Sequence, residues 1–78
     1  MNKKQRKELG EVVTKLDDAI TQLDWIRDDE SYKLSNLPEN LENSEMYQKI
    51  EEAVDNIEEA IDLIKDGKEL IEELSETY

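Results

Sequence analysis

From Leu9 onward the apolar residues of this chain recur in steps of three and four. Leu9, Val12, Leu16, Ala19, Leu23 and Ile26 trace one stripe, the spacing of an amphipathic helix whose seam faces a partner. The second half is stricter. Segments IEEAVDN, IEEAIDL, IKDGKEL and IEELSET begin at Ile50, Ile57, Ile64 and Ile71, a repeat of seven residues. Its second apolar column is Met46, Ala53, Ala60, Gly67 and Leu74. A heptad sustained over four turns of the repeat is the pattern of coiled-coil packing. The spacing therefore predicts helices over about 2–30 and about 44–77, with Asn2 and Ser44 as N-caps. The connection, about 31–43, holds the lone Pro38, which suits a short helical turn. Leu34, Leu37 and Leu41 can then fold back onto the helix ends. The expected fold is all-α: one domain over 1–78, an antiparallel, coiled-coil-like two-helix hairpin.

A two-stranded seam needs an apolar stripe two positions wide in every seven, and this chain carries more. Val13 and Ile20 lie beside the first stripe, and Tyr47, Val54, Ile61, Leu63 and Leu70 beside the second. Chains this short rarely stabilise themselves on one thin core. The pattern predicts two hairpins paired as a four-helix bundle, with Val13, Ile20, Val54, Ile61, Leu63 and Leu70 on the dimer face. The same residues serve a foreign protein if the partner is not a second copy. The small column Ala53, Ala60, Gly67 suggests close helix approach. Folding near residue 38 also brings Gly10 and Gly67 to similar height.

Composition narrows the chemistry. The 78 residues include neither Cys nor His, which excludes disulfides, thiolate zinc, Cys or His nucleophiles and imidazole bases. Apolar runs go no further than pairs such as Val12-Val13, so neither a membrane span nor a secretory core is expected, and a cytoplasmic location follows as the default. Carboxylates at bundle positions could do acid–base work only if buried, and no acid lies on the seam before Glu30. Asp17, Asp18, Asp24, Asp28, Asp29 and Glu30 do not fit a calcium-loop spacing. The reading is a non-enzymatic protein with no cofactor and no metal.

What remains is charge. Twenty-two acids against 10 bases leave −12. The second helix concentrates it: Glu51, Glu52, Asp55, then Glu58, Glu59, Asp62, about one carboxylate per 3.5 Å of axis. One strand of B-DNA carries a phosphate every 3.4 Å or so. Such a flank can match a basic nucleic-acid groove, although a solvated face that keeps a small protein soluble is the commoner reason for such a row. Direct nucleic-acid binding by a chain at −12 is not expected. Lys3, Lys4, Arg6 and Lys7 oppose the dipole of their helix start, and neutralisation by Glu72, Glu73 and Glu76 across the hairpin is the expected remedy. Trp25, Tyr32 and Tyr47, near the connection, are candidate partner anchors or cover for its leucines.

The run R-D-D-E at 27–30, N-L-P-E-N-L at 36–41, N-S-E at 43–45 and I-E-E-A-x-D-N-I-E-E-A-I-D at 50–62 resembles a group of small acidic proteins. These occur in Gram-positive bacteria, often encoded by phages and mobile elements. The resemblance spans about residues 1–64, with N-L-P-E its more specific part. That family often has Gly where Asn40 stands here, a mild departure because Asn tolerates left-handed backbone. It has no established activity to carry over. The resemblance implies a setting in which small acidic proteins block host defence nucleases, of anti-restriction or anti-CRISPR type. The expected function is an acidic protein-binding module that occupies a basic groove as a DNA mimic in the bacterial cytosol. The alternative is a structural coiled-coil dimerisation module, in which surface acids are interchangeable.

Overall fold

Two helices of 33 residues each, α1 (Lys3–Ser35) and α2 (Glu45–Thr77), lie side by side in a computed structural model that describes residues 1–41 and 44–77. They form an antiparallel hairpin measuring 60 × 15 × 12 Å. Both predicted caps are present. Asn2 opens α1 with a capping box: Gln5 N–H donates to Asn2 Oδ1 at 2.8 Å, and Asn2 N–H donates to Gln5 Oε1 at 3.3 Å. Ser44 opens α2, its Oγ accepting from Tyr47 N–H at 3.2 Å while donating to the Leu41 carbonyl at 2.6 Å.

The first helix runs further than its seam pattern implied, taking in Ser31–Ser35, which the sequence assigned to the connection. Leu34 continues the heptad from Leu23 and Arg27, and Lys33 ties back to Glu30 at 2.7 Å, with a cation in the last turn to suit the dipole. Asn36 then closes the helix, its Nδ2 donating to the Tyr32 carbonyl at 2.7 Å. Pro38 prevents continuation by biasing Leu37 away from helical backbone. A single 3₁₀ turn, Glu39–Leu41, follows, with Leu41 N–H donating to the Pro38 carbonyl at 2.9 Å. Residues 42 and 43, part of the expected connection, lie outside the described residues.

The seam is rotated from the predicted one on both helices. On α1 the residues facing α2 are Leu9, Val13, Leu16, Ile20 and Leu23, while Val12 and Ile26 are 39% and 44% exposed. On α2 the isoleucine column is joined by Tyr47, Val54, Ile61 and Lys68, with Ile61 3% exposed, whereas Met46 and Leu74 at the two ends of the Ala53–Ala60–Gly67 column are 56% and 42% exposed. Area decides this: seating Val13, Ile20, Val54 and Ile61 removes more apolar surface than seating the alanines and a glycine. The predicted dimer face is thereby split. Ile20 and Ile61 are buried inside the hairpin and closed to a second molecule, and Val13 and Val54 are half-buried along the same seam. Leu63 and Leu70 stay outside, 64% and 68% exposed.

No close approach is built on glycine. A Cβ at either Gly10 or Gly67 would meet nothing within 4 Å. Nor are the two at one height: the Lys68–Asp17 ion pair sets the register, which places Gly67 beside Asp18 and Gly10 nearer Ser75.

Candidate acidic flank and its opposite face

Heptad geometry sorts the surface of α2 into two sides. Every carboxylate from Glu45 to Glu76 falls in the columns through Glu51–Glu58, Glu52–Glu59 or Asp55–Asp62, which cover the back of the helix and one flank. Glu51, Glu52, Asp55, Glu58, Glu59 and Asp62 are all exposed, and among the described residues none of the six makes an ion pair. An unneutralised row of this kind keeps its full field toward solvent, where it can attract a basic surface at a distance.

Of the α2 lysines, Lys65 continues the Glu51–Glu58 column, and the other two are placed elsewhere. Lys49 pairs with Glu45 at 3.2 Å on the first turn of α2. Lys68 occupies a seam position and bridges the helices, its Nζ 2.7 Å from Asp17 Oδ1 and 3.5 Å from Glu72 Oε1. The hydrogen bond to Asp17 holds the Lys68 ammonium above its ordinary pKa, against a smaller opposing effect of burial. Lys33 is raised in the same sense, chiefly by its hydrogen bond to Glu30. Arg27 also takes a seam position, with Asp24 at 3.2 Å and Asp28 at 3.4 Å. The basic first turn does not make the expected pairs with Glu72, Glu73 and Glu76. Among the described residues its ion pair is Lys4–Glu8, within α1, at 3.9 Å.

An open depression of about 320 Å³ lies between the helices on the acidic side, lined by Asp17, Ile20, Lys65, Lys68, Glu69 and Glu72. Lys68, Asp17 and Glu72 are already paired with one another there, and the depression is open rather than enclosed, which leaves little to recognise a small ligand. Among the described residues there is no group of three or more His, Cys, Asp or Glu placed to hold a metal ion, and no helix is long and apolar enough to cross a membrane.

The aromatic candidates are not brought together. Trp25 and Tyr32 are 66% and 71% exposed and lie seven residues apart on the back of α1, turned away from α2. Tyr47 is half-buried in the seam near the connection. Neither Trp25 nor Tyr32 covers the leucines of the connection, and neither borders the acidic columns of α2.

Of the opposite flank, the sequence pattern marked only Leu63 and Leu70 as partner-facing. Val12 and Ile26 of α1 face the same way as Met46, Leu63, Leu70 and Leu74 of α2, all at least 39% exposed, with Ala19, Ala53, Ala60 and Gly67 between them. The available signal was the absence of acids from two adjacent columns of α2, Met46–Ala53–Ala60–Gly67–Leu74 and Lys49–Asn56–Leu63–Leu70–Thr77. No protein-family model matches the chain, and no curated protein or solved structure shows significant similarity to it.

Proposed function

We propose that this chain is a non-catalytic acidic binding module whose α2 flank occupies a basic, nucleic-acid-binding groove on another protein. The target class is a host defence or DNA-processing protein, met in a phage or mobile-element setting. The observation that carries the reading is the row Glu51, Glu52, Asp55, Glu58, Glu59 and Asp62, exposed and without ion-pair partners among the described residues. A straight helix carrying about three carboxylates per 10.5 Å presents charge at nearly the pitch of one DNA strand. Fast, salt-sensitive association with a basic groove follows from that density. Since Trp25 and Tyr32 occupy a different surface, charge alone has to supply the specificity of this contact.

The test is capture from a Gram-positive bacterial lysate at rising salt, with the bound proteins identified by mass spectrometry. A nucleic-acid-binding protein should be retained, released at moderate salt and displaced by duplex DNA. A variant with Glu51, Glu52, Glu58 and Glu59 changed to Gln should lose it while keeping its helical circular dichroism. If the variant captures the same protein with the same salt dependence, the acids only solubilise the helix and mimicry is wrong.

A further inference from the structure

We infer that the flank opposite the acids, centred on Val12, Ile26, Leu63, Leu70 and Leu74, is covered by a second copy of this chain. The inference is independent of the acidic-flank reading; it keeps Leu63 and Leu70 from the face predicted by the sequence pattern and replaces the other four residues by Val12, Ile26 and Leu74.

Area gives the first argument. A compact monomer of 9.2 kDa exposes about 4,900 Å². The hairpin exposes 6164 Å², an excess of about 1,200 Å². A standard interface removes about 800 Å² from each partner, so one such contact absorbs most of that excess. The interior of a single hairpin makes the same point: among the described residues only Ile20, Ile50 and Ile61 are buried, and no side chain falls below 2% exposure.

Charge selects the occupant. Two copies at −12 repel unless they meet where the acids are not. On α2 this flank carries no carboxylate, and its charged member is Lys49. On α1 the Val12–Ile26 column continues to Lys33, and the column beside it holds Lys15 against Glu8 and Asp29, so the flank as a whole is close to neutral. A face that is apolar and nearly uncharged on a strongly acidic molecule suits a molecule of the same kind. A basic partner would be drawn to the other side. Pairing through this flank buries the exposed leucines and turns both acidic flanks outward.

Sedimentation equilibrium of the intact chain over a hundredfold micromolar range tests the inference, alongside thermal unfolding at each concentration. The expected result is a species of twice the chain mass, with a midpoint that falls by roughly 4 °C per tenfold dilution. Leu63→Lys with Leu70→Lys should shift the equilibrium to single chains, whereas Trp25→Lys with Tyr32→Lys should leave the dimer intact. If the leucine variant unfolds, the concentration dependence of the unsubstituted chain decides alone. Single-chain mass throughout with a concentration-independent midpoint overturns the inference and leaves the flank to a foreign protein. A dimer that survives the leucine pair but is lost with the aromatic pair overturns it too.

Discussion

Lys68 of α2 and Asp17 of α1 meet at 2.7 Å across a seam otherwise built mainly of branched aliphatic residues. An apolar heptad seam tolerates sliding by seven residues; a cation that finds its carboxylate in only one alignment does not. The pair therefore contributes register more than energy, since a partly exposed ion pair is worth little.

The raised pKa of Lys68 makes its contribution testable by pH. A folded-state pKa above the ordinary 10.5 means stability that is complete below that value and lost as pH rises through the raised one. The difference in thermal midpoint between the native chain and Lys68→Met should hold steady up to about pH 10 and shift against the native chain above it. A difference that stays constant across the alkaline range would show that the contact adds nothing to folding.

Ile61 is the most buried of the described side chains, at 3% exposure, and Leu63 two residues on is 64% exposed. Ile61→Ala should cost about 2–4 kcal/mol, enough to unfold much of a molecule this size. Leu63→Ala should cost within about 0.5 kcal/mol in dilute, single-chain conditions. At concentrations where two copies pair, its cost should rise. Denaturant titrations at two protein concentrations measure both.

Both glycines lie inside helices with open space where a Cβ would go. Gly10→Ala, on the side away from the apolar flank, should stabilise by about 1 kcal/mol. Gly67→Ala has the same intrinsic gain, but it places a methyl on the flank where the second copy packs. Its gain should be smaller than that of Gly10→Ala when the chain is dimeric and equal when it is not. Unfolding curves of the two variants at high and low concentration compare them directly.

Crowding of unpaired carboxylates along α2 opposes folding at low ionic strength. The thermal midpoint should therefore rise on going from about 0.01 M to about 0.3 M sodium chloride, as the screening length drops well below 10 Å. Changing Glu51, Glu52, Glu58 and Glu59 to Gln should remove much of that salt response. A midpoint indifferent to salt would place less repulsion in this row than its geometry implies.

The helices, their antiparallel pairing and both N-caps were legible because each leaves a local mark: a seven-residue period, a single Pro38, and Asn2 and Ser44 just ahead of periodic runs. The seam was not, for a reason visible in the residues. Each helix carries two adjacent apolar columns, Val12–Ala19–Ile26 beside Val13–Ile20 and Ala53–Ala60–Gly67 beside Val54–Ile61. Either column completes a seam by spacing, and only the joint packing of both helices chooses the larger pair. The same rotation turned Val13, Ile20, Val54 and Ile61 toward the seam and left Leu63 and Leu70 on a flank with Val12, Ile26 and Leu74, a grouping that spacing alone did not single out. The end of α1 was hidden by Ser31, Tyr32 and Ser35, middling helix formers whose continuation depends on Leu34 and Lys33. The acidic candidates were read correctly as exposed because a long amphipathic helix fixes them by phase. The aromatic trio was not, since proximity in sequence to the connection says nothing about which way each ring faces.

The antiparallel hairpin also dictates how the molecule responds to force. Residues 3 and 77 lie at the same end of a body 60 Å long, with Pro38 at the other. Tension between those ends does not shear the seam, which would break all its layers together. It peels them in succession, from Leu9 and Ser75 toward Leu34 and Ile50, so the resisting force at any moment is that of a single layer. The cross-helix contact of Lys68 and Asp17 stands early in that sequence and would be among the first to part.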